Sequence, residues 1–223
     1  MPCDATVPEW LEATAATHQV QRSSIDAIAA GPPPSRSVTV VCATARPENL
    51  DALLRNHARL RGAPRLVVVT NSERFDRTEV EARVRTVPGA RVLHVDEQET
   101  LGTCLNAGIE LVTTHFVAKL DDDDWYGEHY LEDLLRAQHA SGAAATGKHT
   151  HYAHLVEREQ VVLRFPGREM AYTSFIAGGT LLLDLEQLDG IRFPPLTLGE
   201  DRALLEEVLA AGRSVFSADR FGY

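Results

Sequence analysis

Short runs of apolar residues alternate along the first part of the chain with longer segments whose apolar residues recur every three or four positions. The first run, Val38 to Ala43, is rich in β-branched residues and too short for a helix, which predicts a strand buried on both faces. Helical spacing between the runs, clearest from Leu50 to about Arg61, predicts an α/β fold with a mostly parallel central sheet flanked by helices. The predicted strands are Val38 to Ala43, Arg65 to Thr70, Arg91 to Val95 and His115 to Leu120.

The pattern changes beyond Gly142, where shorter extended segments replace the regular alternation. One of them contains the paired glycines Gly178 and Gly179. Paired glycines either relieve backbone strain or let a ligand approach the backbone closely. The predicted elements of this part are extended segments at 143–152, 160–165 and 173–184, and a helix that begins at Glu200 and stops at Gly212.

Residues 1–37 differ in composition from the rest of the chain. The stretch 10–30 is rich in alanine with a loose helical pattern, and Gly-Pro-Pro-Pro-Ser at 31–35 is typical of a stiff linker. We therefore predict an N-terminal helical appendage with a proline-rich linker over 1–37, followed by one globular domain over 38–223.

Charge and cysteine content narrow the class of protein. The 223 residues have a formal net charge of -10, which argues against nucleic acid or an anionic membrane surface as the main partner. Cys3, Cys42 and Cys104 are widely spaced without zinc-type pairing, as is typical of a reduced protein. Neither a signal-peptide pattern nor an apolar run of membrane-spanning length is visible. We therefore expect a cytoplasmic protein without a transmembrane segment, and oligomer formation stays open.

Four consecutive carboxylates, Asp121 to Asp124, follow the fourth predicted strand. Like charges this close repel one another and raise one another's pKa unless positive charge lies among them. A divalent cation with oxygen ligands, Mg²⁺ or Mn²⁺, would supply that charge. In open α/β sheets, ligands bind beyond the carboxyl ends of the strands, where this run falls. The alternatives are a solvated turn or helix N-terminus, and a calcium loop beginning at Asp122.

A histidine cluster and two absent motifs bear on other functions. His149 and His151 would share one face of an extended segment with His154 nearby, and three histidines can bind zinc. No carboxylate or cysteine is spaced to complete a closed zinc site, so an exposed strand is the favoured interpretation. Neither Gly-x-Gly-x-x-Gly after the first strand nor Gly-Lys-Ser/Thr occurs, which argues against dinucleotide oxidoreductases and P-loop proteins.

Four short motifs belong together because of their order and spacing. They are Val-Thr-Val-Val-Cys-Ala-Thr-Ala-Arg-Pro-Glu-Asn-Leu at 38–50, Leu-Gly-Thr-Cys-Leu-Asn-Ala-Gly-Ile at 101–109, Leu-Asp-Asp-Asp-Asp at 120–124 and Gly-Glu-Asp at 199–201. In this order they resemble the opening strand and turn, the Asn-Leu-Gly…Arg-Asn-x-Gly helix, the Leu-Asp-x-Asp-Asp metal motif and the Glu-Asp pair of family 2 glycosyltransferases. The resemblance runs roughly from Val38 to Gly212. It implies the GT-A fold of nucleotide-diphospho-sugar transferases.

The resemblance also implies roles for the acidic residues. Asp121 and Asp123 would be the two aspartates of Asp-x-Asp, with Asp123 binding Mn²⁺ or Mg²⁺ directly and Asp121 nearer the ribose. The metal would neutralise the charge of the diphosphate leaving group. Asp201, the second acid of the Glu200-Asp201 pair, would take the proton of the acceptor hydroxyl. On the residues alone, Glu200 and Asp201 also suit a helix N-terminus.

Further candidates for the substrate site come from the same motifs. Two departures from the family pattern affect them: Thr-Asn-Ser-Glu at 70–73 replaces Asp-Asp-Gly-Ser, and Cys-Ala-Thr-Ala at 42–45 replaces Pro-Thr-Tyr-Asn. The identity of the nucleotide base is therefore not implied. The nucleotide-sugar-binding candidates are Ala43, Thr44, Arg46, Asn71, Asn106, Asp121 and Asp122, and the acceptor-side candidates are Trp125, Gly178 and Gly179.

The implied activity is that of a metal-dependent, inverting glycosyltransferase. It would move a sugar from a nucleotide-diphosphate sugar to a hydroxyl of a sugar or glycoconjugate acceptor, in polysaccharide or glycoconjugate biosynthesis. Two alternatives stay open: a non-catalytic nucleotide-sugar-binding module of a larger assembly, and a sugar nucleotidyltransferase. The second class usually has a glycine-rich basic loop after the first strand, and the segment from Thr44 to Pro47 is not one.

Overall fold

The computed structural model describes residues 37–223, so the predicted N-terminal appendage lies outside the described residues. The described helices are α1 Leu50–Arg59, α2 Arg77–Val84, α3 Leu101–Ile109, α4 Tyr130–Ser141, α5 Leu185–Leu188 and α6 Glu200–Ala210. None of these helices is long and apolar enough to cross a membrane. The described strands are β1 Val38–Thr44, β2 Arg65–Thr70, β3 Arg91–His94, β4 Phe116–Lys119, β5 Ala145–Gly147, β6 His151–Leu155, β7 Gln160–Arg164, β8 Ala171–Tyr172, β9 Leu182–Asp184 and β10 Val215–Ser217.

Eight of these strands form one sheet in the order β3-β2-β1-β4-β9-β5-β10-β8, and β6 and β7 form a separate antiparallel pair. The first four strands are parallel to one another, since a helix carries the chain back between each strand and the next. Beyond β4 the sheet is mixed, because β9 runs antiparallel to both β4 and β5. The predicted α/β fold with a mostly parallel, helix-flanked sheet is confirmed.

Both faces of the sheet are buried, as the continuous apolar runs predict. Successive residues of a strand point to opposite faces, so Val40 belongs to one core layer and Val41 to the other. Leu134 of α4 packs in the first layer, and Leu105 of α3 and Leu204 of α6 pack in the second. Burying each such leucine stabilises the fold by about 1.5–3 kcal/mol.

Helix α3 packs closely against the sheet at Gly108. A Cβ atom at this position would lie 2.7 Å from Val41 Cγ1 and 2.9 Å from Val69 Cγ2. The helix begins after Thr100, whose hydroxyl oxygen accepts a hydrogen bond from the Thr103 N–H. Gly108 therefore lets the backbone of α3 rest directly on β1 and β2.

The extended segment predicted over 173–184 is only partly correct. It is interrupted by a short 3₁₀ turn at Gly178–Thr180, and the strand β9 begins at Leu182. The carbonyl groups of Gly178 and Gly179 accept hydrogen bonds from Lys119 Nζ at 3.1 Å and from the Tyr126 hydroxyl at 2.8 Å. Because these side chains satisfy the backbone, the turn needs no neighbouring strand, and it bends toward the end of β4.

Candidate active site

The carboxyl ends of β1 and β4 lie side by side where the strand order reverses. From β1 the sheet continues to β2 and β3 in one direction, whereas β4 pairs with the opposite edge of β1. Such a reversal opens a crevice in which α/β proteins bind ligands. The pairing of Val41 with Lys119 also sets Thr44 level with Asp122 beyond the strand ends. The acidic run therefore lies at this crevice.

Asp122 points into the protein and is 2% exposed. Its carboxylate accepts hydrogen bonds from the Thr44 hydroxyl and from the Arg46 guanidinium, including one from Nε at 3.2 Å. Arg46 also donates to Asp123 through Nη1 at 2.9 Å. Hydrogen bonds to Asp122 and then to Asp123 raise the pKa of Arg46 above its ordinary value. Arg46 therefore provides a fixed positive charge within the acidic run.

Lys119 provides a second positive charge from inside the sheet. Its side chain is 3% exposed, and Nζ lies 2.9 Å from Asp121 Oδ1 and 4.0 Å from Glu200 Oε1. Together with Arg46 it relieves the repulsion for which the sequence pattern pointed to a divalent cation. The clustering of four aspartates is therefore not by itself a sign of bound metal.

Gly178 and Gly179 allow three carboxylates to converge on one turn. A Cβ atom at Gly178 would lie 1.4 Å from Asp201 Oδ2. A Cβ atom at Gly179 would lie 2.6 Å from Asp124 Oδ2 and 2.9 Å from Asp121 Oδ2. The structure thus shows close approach to these glycines by side chains of the same chain, and approach by a ligand stays a prediction.

The Glu200-Asp201 pair begins α6 and faces the same turn. Glu200 is 4% exposed, and its burial, followed by the charge of Asp201, raises the pKa of Glu200 to about 7. Asp201 Oδ1 is buried and has no hydrogen-bond partner among the described residues. Leaving a buried acceptor unpaired is costly, and a substrate hydroxyl is one kind of donor that would satisfy it. Acids of this kind in a crevice are typical of catalytic sites.

Two tyrosines that the sequence motifs do not indicate complete the cluster. The Tyr126 hydroxyl accepts a hydrogen bond from the Asp121 N–H at 2.8 Å and donates to the Gly179 carbonyl at 2.8 Å. The Tyr223 hydroxyl donates to Asp124 Oδ2 at 2.6 Å. Burial raises the pKa of Asp124 to about 6, although the Tyr223 hydrogen bond acts in the opposite direction. These two hydroxyls hold the acidic run and the glycine turn together.

Most of the candidates from the sequence meet at this place. Asn71 is joined to it through its backbone N–H, which donates to the Thr44 carbonyl at 3.2 Å, and Ala43 is the half-buried neighbour of Thr44 at the end of β1. Their contact with a nucleotide stays a prediction. The candidates whose side chains or backbone form the cluster are Thr44, Arg46, Asp121, Asp122, Asp123, Gly178, Gly179, Glu200 and Asp201.

Two further candidates have structural partners of their own. The side-chain amide of Asn106 accepts a hydrogen bond from the Phe193 N–H at 3.1 Å and donates to the Phe193 carbonyl at 2.8 Å. Trp125 is 38% exposed, and the Arg59 guanidinium lies 5.1 Å from the centre of its ring. Asn106 therefore fixes the chain ahead of α6, and substrate contacts of Asn106 and Trp125 stay predictions.

His149 and His151, two members of the predicted histidine cluster, pack against aromatic rings. The His149 ring packs edge-on against Phe165 and Phe175, with ring centres 5.3 Å and 5.1 Å apart. The His151 ring packs against Tyr223 at 5.5 Å. Over residues 37–223, no group of three or more His, Cys, Asp or Glu side chains is arranged to hold a metal ion.

Asp121 and Asp123 suit a metal site of another kind, in which one or two carboxylates act together with the phosphates of a substrate. Their side chains are 37% and 53% exposed, whereas Asp122 is enclosed by Thr44 and Arg46. The alternation of exposed and enclosed carboxylates matches an Asp-x-Asp motif. The residues present therefore fit a divalent cation that arrives with a diphosphate.

Comparison with solved structures gives the fold of known glycosyltransferases. The chain is similar to residues 1–349 of TarS from S. aureus in complex with UDP-GlcNAc, with a TM-score of 0.65 and 17% identity over 82% of this chain. It is also similar to the mannosyltransferase PcManGT from Pyrobaculum calidifontis in complex with GDP-Man and Mn²⁺, with a TM-score of 0.62 and 18% identity over 93% of this chain. It covers 57% and 65% of those chains, less than two thirds of each. No curated protein matches significantly in sequence.

The match of the sequence to a protein family identifies the family of this chain as well as its fold. The match to the family described as glycosyl transferase family 2 extends over residues 38–181, more than half of the chain. It includes β1, the acidic run and the glycine turn, which form most of the cluster. The chain therefore belongs to glycosyl transferase family 2 and has its GT-A fold.

Proposed function

We propose that this chain is a glycosyltransferase that moves a sugar from a nucleotide-diphosphate sugar to a hydroxyl of a sugar or glycoconjugate acceptor. The observation that carries the proposal is the approach of Asp201 to the end of β4 across the glycine turn. One turn separates the exposed carboxylates of Asp121 and Asp123 from a buried, unpaired carboxylate oxygen. The nucleotide sugars bound to TarS and PcManGT support the same class of donor here.

On the donor side, Asp121 and Asp123 would hold Mn²⁺ or Mg²⁺. When bound, this ion supplies positive charge that stabilises the diphosphate as it leaves. Arg46 lies within hydrogen-bond distance of Asp123 and adds a fixed positive charge at the same place. Thr44 and Asn71 border the crevice from β1 and β2 and would position the nucleotide.

On the acceptor side, the substrate hydroxyl would donate a hydrogen bond to Asp201. As the hydroxyl oxygen forms its bond to the anomeric carbon, its proton passes to the Asp201 carboxylate, and the bond to the diphosphate breaks on the opposite face. A single displacement of this kind inverts the anomeric configuration. By family resemblance, the product belongs to polysaccharide or glycoconjugate biosynthesis.

The donor site is tested by thermal denaturation with UDP-GlcNAc, GDP-Man, and CDP- and TDP-sugars, each with Mn²⁺ or EDTA. A ligand at about 100 times its dissociation constant adds about 2.7 kcal/mol of stability, which raises the midpoint by about 5–10 °C in a chain of this size. We expect such a rise with one nucleotide class, only with metal, and its loss in Asp123→Ala. Asp51→Ala, an exposed aspartate on α1, is the control and should keep the rise. A metal-dependent rise that persists in Asp123→Ala would rule out the assigned donor site.

The role of Asp201 is tested with Asp201→Asn, which keeps the shape of the side chain but removes its ability to accept a proton. We expect the donor-induced rise in the midpoint to be unchanged and the turnover number to fall by about 10²–10⁴. Glu207→Gln, an exposed residue of α6, should retain full activity. Release of pyrophosphate instead of sugar transfer would indicate a nucleotidyltransferase, and donor binding without turnover by the unmodified chain would indicate a binding module.

A further inference from the structure

Lys119 is a buried lysine at the end of a strand whose other residues are apolar. Its side chain is 3% exposed, and it follows Phe116, Val117 and Ala118 in the centre of the sheet. Transferring an ammonium group from water into a protein costs several kcal/mol unless nearby groups compensate. The buried ammonium ion of Lys119 therefore needs nearby groups that compensate for its lost hydration.

Its three partners come from three separate segments of the chain. The Nζ atom donates to Asp121 Oδ1 at 2.9 Å and to the Gly178 carbonyl at 3.1 Å, and it lies 4.0 Å from Glu200 Oε1. An ammonium group has three N–H donors, so one group can serve all three positions. Asp121 belongs to the donor side, Gly178 to the turn, and Glu200 to the acid pair that contains the predicted base.

The glycine turn at Gly178–Thr180 also determines where the Asp201 side chain can lie. With no Cβ atom at Gly178, Asp201 Oδ2 comes so close that an added carbon would lie 1.4 Å away. A movement of the Gly178 backbone by a few tenths of an ångström would therefore change the room available to Asp201. The hydrogen bond from Lys119 Nζ to the Gly178 carbonyl fixes this backbone to β4, together with the bond from the Lys119 N–H to the Leu181 carbonyl.

We propose that Lys119 is a positioning residue of the transfer reaction, because its ammonium ion ties Asp121, the Gly178 turn and the Glu200-Asp201 pair to one point. It holds the predicted base at a set distance from the donor site and balances the charge of three carboxylates there. This inference rests on the proposed function for its catalytic consequence but not for its structural one. Lys119 acts through these neighbours and does not touch the reacting atoms.

The charge needed for this role is maintained by the surroundings. Burial alone would lower the pKa of Lys119, but the carboxylates of Asp121, Asp201 and Glu200 together raise it above the ordinary value. A neutral side chain of similar length would leave the three carboxylates without this counter-charge.

The chain offers a matched control for the loss of a buried lysine. Lys148 is fully buried, and its Nζ atom donates to Asp219 Oδ1 at 3.1 Å. Lys148→Met therefore removes a buried ion pair without removing a contact to Asp121, Gly178 or Glu200. Both Lys119→Met and Lys148→Met should lower the thermal midpoint, so stability alone does not separate them.

Transfer kinetics separate the two variants. For Lys119→Met we expect kcat to fall by about 10²–10³ while KM for the donor changes by less than about fivefold. The base is displaced, whereas Thr44, Arg46 and Asp123 keep their contacts on the donor side. Lys119→Arg, which retains the charge, should recover at least about tenfold of the loss. Lys148→Met should keep kcat per folded molecule within about threefold. A folded Lys119→Met with kcat in that same range, or an equal loss in Lys148→Met, would overturn the proposal.

A second measurement does not depend on turnover. The thermal midpoints of Lys119→Met, Glu200→Gln and the double variant should be non-additive by about 3 °C or more, because each change removes one partner of the same contact. The cycle with Glu207→Gln in place of Glu200→Gln should be additive. Additive midpoints in the first cycle would show that Lys119 does not hold the acid pair, even if the unmodified chain transfers no sugar. Absent turnover together with non-additive midpoints would count against the proposed function only.

Discussion

The four adjacent aspartates beyond β4 have four different environments. Asp121 is bound by Lys119, Asp122 is enclosed by Thr44 and Arg46, and Asp123 is exposed beside Arg46. Asp124 is half-buried, and its carboxylate accepts a hydrogen bond from the Tyr223 hydroxyl. Identical residues therefore acquire different chemistry from their neighbours, and only two of the four keep the exposure that a cation with a diphosphate requires.

The contribution of Gly178 is tested with Gly178→Ala. The φ angle at Gly178 is not positive, so alanine introduces no backbone strain, and the three atoms nearest to the added carbon all belong to the Asp201 carboxylate. That carboxylate ends a short side chain and can rotate away. We expect the free energy of unfolding to change by less than about 1 kcal/mol. The rate of sugar transfer should fall by more than about tenfold, while the rise in thermal midpoint caused by the donor should stay the same as in the unmodified chain. Full transfer activity in this variant would mean that Asp201 does not need its present position.

The sequence indicated the acids of the site more readily than their partners. Asp121, Asp123 and Asp201 stand out because carboxylates in a run or pair are visible in the chain itself. Lys119 was visible as a lysine in an apolar strand, but its contact with Glu200 joins residues far apart in sequence. Tyr223 lies even further from Asp124. Hydrophobic periodicity carries no information about which distant side chains will meet.

At the scale of elements, the strands and helices of the parallel half follow closely from their apolar patterns. The predicted run from Arg65 to Thr70 is β2, and the helix predicted to begin at Glu200 is α6. The segment 173–184 was less predictable because Lys119 and Tyr126 capture its carbonyls. Local patterning determines an element well when its hydrogen bonds are local or lie within the sheet, and poorly when distant side chains satisfy its backbone.

The seating of α3 on the sheet is tested with Gly108→Ala. Alanine gains about 1 kcal/mol in helix propensity, but its Cβ atom would press on the stiff side chains of Val41 and Val69. Overpacking of this kind costs about 1–3 kcal/mol. We expect a net loss of about 1–2 kcal/mol in urea unfolding, and a smaller loss for Gly108→Ala in a Val41→Ala background than in the unmodified chain. A gain in stability would show that the helix can move outward without cost.

For the whole molecule, the buried Glu200 predicts how stability varies with pH. Its pKa rises from the ordinary 4.5 to about 7 on folding, so the folded state binds more protons than the unfolded state between these values. Stability from this group is fully present below about pH 4.5 and is lost as the pH rises through about 7. Glu200→Gln removes the effect. Relative to the unmodified chain, the free energy of unfolding of the variant, measured through its thermal midpoint, should therefore increase between pH 5 and pH 8 by up to about 3 kcal/mol. A difference that is constant with pH would mean that Glu200 titrates normally.

The sequence predicts the class of the sheet, a mostly parallel sheet flanked by helices, but it does not predict the order of the strands. Alternating strands and helices predict a parallel sheet, and the first four strands follow that rule. The insertion of β9 between β4 and β5 leaves no trace in the apolar pattern, because an antiparallel strand buried on both faces has the same composition as a parallel one.

The insertion of β9 between β4 and β5 has a consequence for how related proteins can change their substrates. Every residue assigned to the donor precedes Trp125 in the chain, and every residue assigned to proton removal follows Ile176. The two sets meet where β9 pairs with β4 and where Lys119 contacts Gly178 and Glu200. We expect a substitution in one set to affect the other mainly through these contacts and through the pairing of Ala118 with Leu182. In related proteins the preference for the nucleotide sugar and the preference for the acceptor could therefore change separately, as long as these contacts are kept.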